Sequence, residues 1–293
     1  MLDTLLSDGW SYHDSESARL AMELEGAASA AEDAQLDPLL HLANHTIGEH
    51  LGDWPRARRL AEALIDRRSP RAETAKAWSR LAVVRAMTSD APAAAAAELA
   101  AAAVATDPLA STLEGRFLLV AALIGSKRVA EGAVLYEAAL RLADKLGDAA
   151  PARAIAVASN NLASDLVEAV SRTTVEDSLM RRAAEAAHEY WRRCGTWVND
   201  ERALYLKALV ANALAEPADA LAHAEAALAI IAANGEQPVD VTFLTLAKSR
   251  SLRLLGDATA SAATLADADA AAAAWDDPGL KSWYAEERAR AVS

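Results

Sequence analysis

Apolar residues recur at spacings of three and four along almost the whole 293-residue chain, and short Gly, Pro and Asp punctuation breaks the runs. That pattern leaves the chain few choices. A 3.6-residue period makes one stripe of each segment apolar, and a hairpin of two such segments cannot bury its stripe alone, so each must lie against the next. The clearest unit runs from Leu39 through Leu51, turns at Gly52-Asp53-Trp54-Pro55 and returns through Ala57, Leu60, Ala61, Leu64 and Ile65. Pro55 suits a first helical turn, where its missing N–H would have no partner anyway, and Gly52 suits the left-handed residue that ends the helix before it. The same reading predicts about six hairpins, at 36–69, 72–107, 110–148, 151–195, 198–235 and 238–276. A half-repeat (1–35) precedes them and a charged capping helix (278–293) follows, the whole forming one superhelical domain.

Composition points the same way. Phe occurs only twice, whereas alanine forms runs such as Ala93 to Ala97 and Ala270 to Ala274, which favours helices packed closely on helices. The expected class is all-α, an α-solenoid of antiparallel hairpins. Forty-two acidic against 29 basic residues leave a net charge of −13, which repels a phosphate backbone, so no nucleic-acid partner is expected. Cys194 is the single cysteine; it can form no internal disulfide and is read as a small packing residue in a reducing compartment. Residues 1–10 hold Asp3 and Asp8 with no Lys or Arg, and no apolar run suggests a membrane span. A cytoplasmic location without membrane contact is expected.

Several segments resemble the tetratricopeptide repeats. Trp78-x2-Leu81-Ala82 followed by Ala94 and Ala101 is similar to that family's spacing of a Trp, a Leu-Gly/Ala pair and small residues on the second helix. Gly52-Asp53-Trp54-x2-Ala57 looks like its Gly-Asp-aromatic turn, Gly256-Asp257 is a fainter copy, and Asn160-Asn161-Leu162-Ala163 looks like the start of many of its first helices. The departures are in length. Asn44, Leu81, Leu119, Leu162, Lys207 and Lys248, taken as equivalent, lie farther apart than the family's usual 34 residues. The two lysines stand where a buried Leu is usual, which suggests a register slip of about one turn in the last two repeats.

The resemblance implies a right-handed solenoid with a concave trough lined by the first helix of each hairpin. In its register Phe117, Asn160, Ser164, Tyr205, Asn212, Arg250 and Arg253 face inward. Amides that donate and accept at once suit the backbone of an extended peptide, and the arginines suit a carboxylate or phosphate. The other reading is that Asn160 and Asn161 bond neighbouring helices while the arginines reach into water. A protein- or peptide-binding adaptor is thus the leading expectation. A sensor whose trough takes a small ligand or signalling peptide stands beside it.

Chemistry has few footholds. There is no Gly-rich phosphate loop after a strand and no Gly-x-Ser-x-Gly elbow, so neither catalytic residues nor a cofactor are expected. His41, His45 and Glu49 share one helical face beside His50, a spacing able to hold zinc, but without a ligand from elsewhere it makes a poor shell. A metal-dependent enzyme at this trio is the remote alternative. Arg56, Arg58, Arg59, Arg67, Arg68 and Arg71 form a basic patch that would attract an acidic partner unless Glu62 and Asp66 neutralise it.

Overall fold

A computed structural model describes residues 2–292, and within them the chain is helical without a strand. Two compact units divide it, one ending at Ala154 and the other beginning at Ile155. In the first, α1 (Leu2–Asp8), a 3₁₀ turn (Gly9–Ser11) and α2 (Ser17–Ala27) lead into α3 (Leu36–Ala43), which continues as a π-helix (Asn44–His50) before α4 (Trp54–Ile65). Then follow α5 (Ala75–Met87) with α6 (Ala91–Val104), and α7 (Pro108–Gly125) with α8 (Val129–Leu146). α9 (Ala152–Glu168) crosses into the second unit, which continues with α10 (Thr174–Cys194), α11 (Trp197–Ala213), α12 (Pro217–Asn234), α13 (Pro238–Leu254), α14 (Ala258–Ala273) and α15 (Pro278–Val292). Most of these helices pack mainly on their neighbours in sequence, as in an all-α repeat; α5 also meets α3 and α7, α11 meets α13, and α15 packs on α13.

One turn recurs. A residue with positive φ lies two positions before the second helix in five of the six pairs: Gly52 (67°), Ser89 (64°), Lys127 (62°), Ala215 (57°) and Gly256 (87°). Asp53, Asp90 and Asp257 follow three of these residues and accept the backbone N–H of Arg56, Ala93 and Ala260 at 3.0, 3.2 and 2.9 Å, capping the next helix. Glycine marks only two of the five. Ser89, Lys127 and Ala215 adopt the same conformation against the steric cost of a Cβ there. The fourth pair differs: its longer connection ends in a capping box in which the Thr173 hydroxyl and the Glu176 carboxylate satisfy one another's backbone N–H.

This frame corrects the register. Asn44, Leu81, Leu119, Lys207 and Lys248 lie ten residues before Trp54, Ala91, Val129, Pro217 and Ala258, the first residues of their second helices, so no slip occurs at the lysines. Both are half-buried, and Lys248 pairs with Glu225 of α12 at 2.9 Å, so an apolar stem and a paired head replace the leucine. Two further expectations need revision. α7 is long and apolar enough by composition to span a membrane. It packs on α5, α6 and α8 through Leu113, Phe117, Val120 and Leu123, and its Arg116 meets Glu98 at 3.1 Å. Cys194 is exposed rather than packed, its thiol donating to the Tyr190 carbonyl at 3.2 Å.

Because the strained turns carry a Cβ, Lys127→Gly and Ala215→Gly are each expected to raise unfolding free energy by about 1 kcal/mol in urea melts. Gly52→Ala is expected to lower it by a similar amount.

Candidate functional site

The second unit contains a cleft of about 360 Å³ walled by the C-terminal end of α9, by α11, by α13 and by α15. Helical periodicity explains which side chains reach it. Asn160, Ser164 and Glu168 lie four apart on one stripe of α9, and Tyr205, Leu209 and Ala213 on one stripe of α11; Glu168, Leu209, Ala213 and Arg250 line the cleft itself. Of the residues expected to face inward, Arg250 lines the cleft, while Asn160 and Ser164 are half-buried farther back along the same stripe of α9.

Four guanidinium groups crowd this region, and three have work within the fold. Arg172 donates to the carbonyls of Leu166 and Ala169 at 3.1 and 3.4 Å and of Ala213 at 3.4 Å, satisfying the last turns of α9 and α11, and meets Asp177 at 2.8 Å. Arg253 donates to the Ala291 carbonyl at 3.1 Å and so ties α13 to α15. Arg290 pairs with Glu287 at 2.6 Å. Arg250 is different: its Nε is buried and has no hydrogen-bond partner. Burial, and then the neighbouring Arg253, pull its guanidinium below the ordinary arginine range, while Glu287 opposes them. Burial also raises the Glu287 carboxyl. Chemically, the cleft offers one under-satisfied cation in a positive field, the setting in which a carboxylate or phosphate gains charge-assisted hydrogen bonds.

The remaining expected residues go elsewhere. Phe117 is buried in the first unit, its ring 5.8 Å from that of Tyr136, and is a packing residue. Asn212 is buried too: its Nδ2 donates to the Ala247 carbonyl at 3.1 Å and its Oδ1 accepts from Ser251 at 3.0 Å, so this amide fastens α11 to α13 and offers nothing to a peptide. Tyr205 is held between the apolar clusters of α11–α12 and α13–α15, and burial raises its phenol. Much of the basic patch is taken up in ion pairs: Arg56 with Glu25, Arg58 with Glu62 and Asp90, Arg68 with Asp33. His41, His45 and Glu49 do not converge, since His45 Nδ1 bonds Glu49 at 2.6 Å while the His41 ring packs against Trp10.

Glu201 on α11 had no signal in the sequence beyond helical position. Its side chain is fully buried, neither carboxylate oxygen has a hydrogen-bond partner, and Arg202 Nε lies 3.6 Å away. Burial first, and Asp240 of α13 second, push its carboxyl up to about 8.

No family model and no curated protein matches the chain. Among solved structures it is similar to the crystal structure of BtubC (BKLC) from P. vanneervenii, at 18% identity over 76% of this chain and 90% of that one, with a TM-score of 0.49.

The raised Glu201 carboxyl has a consequence for stability. The folded chain keeps this proton in a range where the unfolded chain has released it. Its stabilising effect is complete below the ordinary value of 4.5 and drains away as the pH climbs to about 8. Glu201→Gln, which keeps the shape without the charge, is expected to melt progressively higher than the parent between those limits and by a constant margin above them. A margin that does not change with pH would refute the assignment.

Proposed function

We propose that the chain is a protein- or peptide-binding scaffold of tetratricopeptide type, a right-handed α-solenoid. In this reading the cleft around Arg250 receives an acidic group of the partner. The observation that carries it is the buried, unpartnered Arg250 Nε among Arg172, Arg253 and Arg290. A carboxylate at that point would accept from the Arg250 Nε–H that the fold leaves without a partner. Ser164 and Asn160, one and two turns back along α9 from Glu168, would contact the chain leading up to that group. The amide and hydroxyl suit peptide backbone, and Leu209 gives an apolar wall. The partner is a protein or peptide, bound without nucleic acid or membrane, and the location is cytoplasmic.

A second reading rests on size. A volume of about 360 Å³ falls in the range of small-molecule sites, so a compact anion filling the cleft would make the chain a sensor. Calorimetric titration separates the two, using a library of extended peptides with either a free C-terminal carboxylate or its amide, and in parallel small dicarboxylates and inorganic phosphate. Scaffold binding is expected to favour the free acids at least tenfold, and Arg250→Gln to erase that preference with melting behaviour intact. Tight binding of a small anion with no peptide binding would establish the sensor. If acids and amides bind alike, or Arg250→Gln changes nothing, the cleft is not the site.

A further inference from the structure

In the first unit, three histidines from two separate elements meet. His13 lies in the turn between the 3₁₀ turn Gly9–Ser11 and α2, and His45 and His50 lie five apart on the π-helix. One ring nitrogen of each falls within 4.8 Å of the other two. We infer that His13, His45 and His50 form a binding site for a divalent transition-metal ion of the zinc class, with Asp14 beside it as a fourth donor.

The backbone is shaped for this. In an α-helix residues five apart point away from one another, whereas a π-turn brings them onto one face. Leu51 N–H reaches the Thr46 carbonyl at 3.1 Å, five residues back, and Asp53 N–H reaches that of Ile47 at 2.9 Å, six back, so the widened turn persists to its end. Ile47 and Gly48 pack inward, and a Cβ on Gly48 would lie 2.5 Å from the buried Trp54 ring, so the inner face is fixed while His45 and His50 face outward together. His13 is brought up from the other side: Ser17 Oγ donates to its carbonyl at 2.6 Å, and Gly9 packs against Leu20 and Leu42.

The proton positions also fit. His13 Nδ1 lies 2.7 Å from the Trp10 carbonyl and His45 Nδ1 lies 2.6 Å from a Glu49 carboxylate oxygen. Both partners can only accept, so both Nδ1 atoms carry the hydrogen and each neutral ring keeps a lone pair on Nε2. Carboxylate or carbonyl behind Nδ1, with Nε2 facing the ion, is the outer-shell arrangement that orients metal-ligating histidine. His50 Nε2 lies 3.0 Å from His45 Nε2 and 3.2 Å from Asp14 Oδ1, which is itself 3.7 Å from His13 Nε2. Tetrahedral zinc–imidazole bonds of ~2.0–2.1 Å put ligand nitrogens about 3.4 Å apart. Binding would draw the most widely separated nitrogens, now within 4.8 Å, closer together. Trp10 packs against His13 and His45, their ring centroids 5.4 Å from its own, and walls one side.

The test uses the full chain without affinity-tag histidines, stripped with chelator, titrated with Zn²⁺ by calorimetry and with Co²⁺ by visible absorption. One ion per chain with a micromolar or tighter Kd and tetrahedral Co²⁺ bands is expected. His13→Ala and His45→Ala are expected to weaken binding at least 100-fold, Glu49→Gln ten- to 100-fold, and His41→Ala less than twofold. Circular dichroism confirms that each variant is folded; should His45→Ala fail to fold, exposed-turn His13→Ala decides. Absence of saturable binding, unchanged affinity in His13→Ala, or an equal loss in His41→Ala overturns the site.

Discussion

Every feature of this chain depends on one constraint: an α-hairpin has more apolar surface than it can cover by folding on itself, so its two helices must be joined at an angle that presents the remainder to the next pair. The joint that sets this angle is a single left-handed residue, followed at three of the five joints by an aspartate that caps the next helix. Its recurrence at Gly52, Ser89, Lys127, Ala215 and Gly256, across both units, shows that backbone geometry is held constant where the side chain is not. The one pair that departs, between α9 and α10, uses a longer loop closed by Thr173 and Glu176, and that loop also supplies Arg172 to the cleft wall.

Packing then sorts the polar residues into those that hold helices together and those left over. Asn212 bridges α11 to α13, Arg253 bridges α13 to α15, and Arg172 closes two helix ends. A polar group whose partners are backbone atoms of the same fold has its geometry fixed by packing and nothing left to offer. Arg250 and Glu201 are two charged exceptions, and both lie in the second unit. Each is a buried ionisable group with an unmet hydrogen-bonding need, and an unmet need costs more than a met one returns, so it requires an explanation beyond folding.

Much of the fold was legible in the sequence because its signals are local. Pro55, Pro108 and Pro217 fall in the first turns of helices, and the Gly and Asp punctuation marks the turns. Three things were not legible. The π-helix was hidden because Leu39 through Leu51 satisfies a 3.6 period, and the extra residue per turn is visible only in which carbonyl each N–H reaches. The role of His13 was hidden because it lies about thirty residues away from its partners and is brought to them by the packing of α2 on the π-helix. Phe117 and Asn212 were placed on the wrong surface because helical register says which stripe a residue occupies, not whether the neighbouring helix covers it. Arg250 reaches the cleft because α9, α11, α13 and α15 leave a gap there.

The acidity of the chain and the cationic cleft are compatible once distance is considered. At physiological ionic strength charges are screened over about 8 Å, so the net −13 slows the approach of an acidic partner only weakly. Inside the cleft screening is poor and the local dielectric low, so the few nearest groups decide. There the guanidiniums of Arg172, Arg250 and Arg290 face the carboxylates of Glu168 and Glu287. Glu287 is itself raised by burial and already paired with Arg290, which leaves it a poor counter-charge for Arg250. Attraction in the cleft is therefore short-ranged and directional. In the proposed scaffold, selection would turn on whether an acidic group can be brought up to Arg250 at all rather than on the charge of the whole surface.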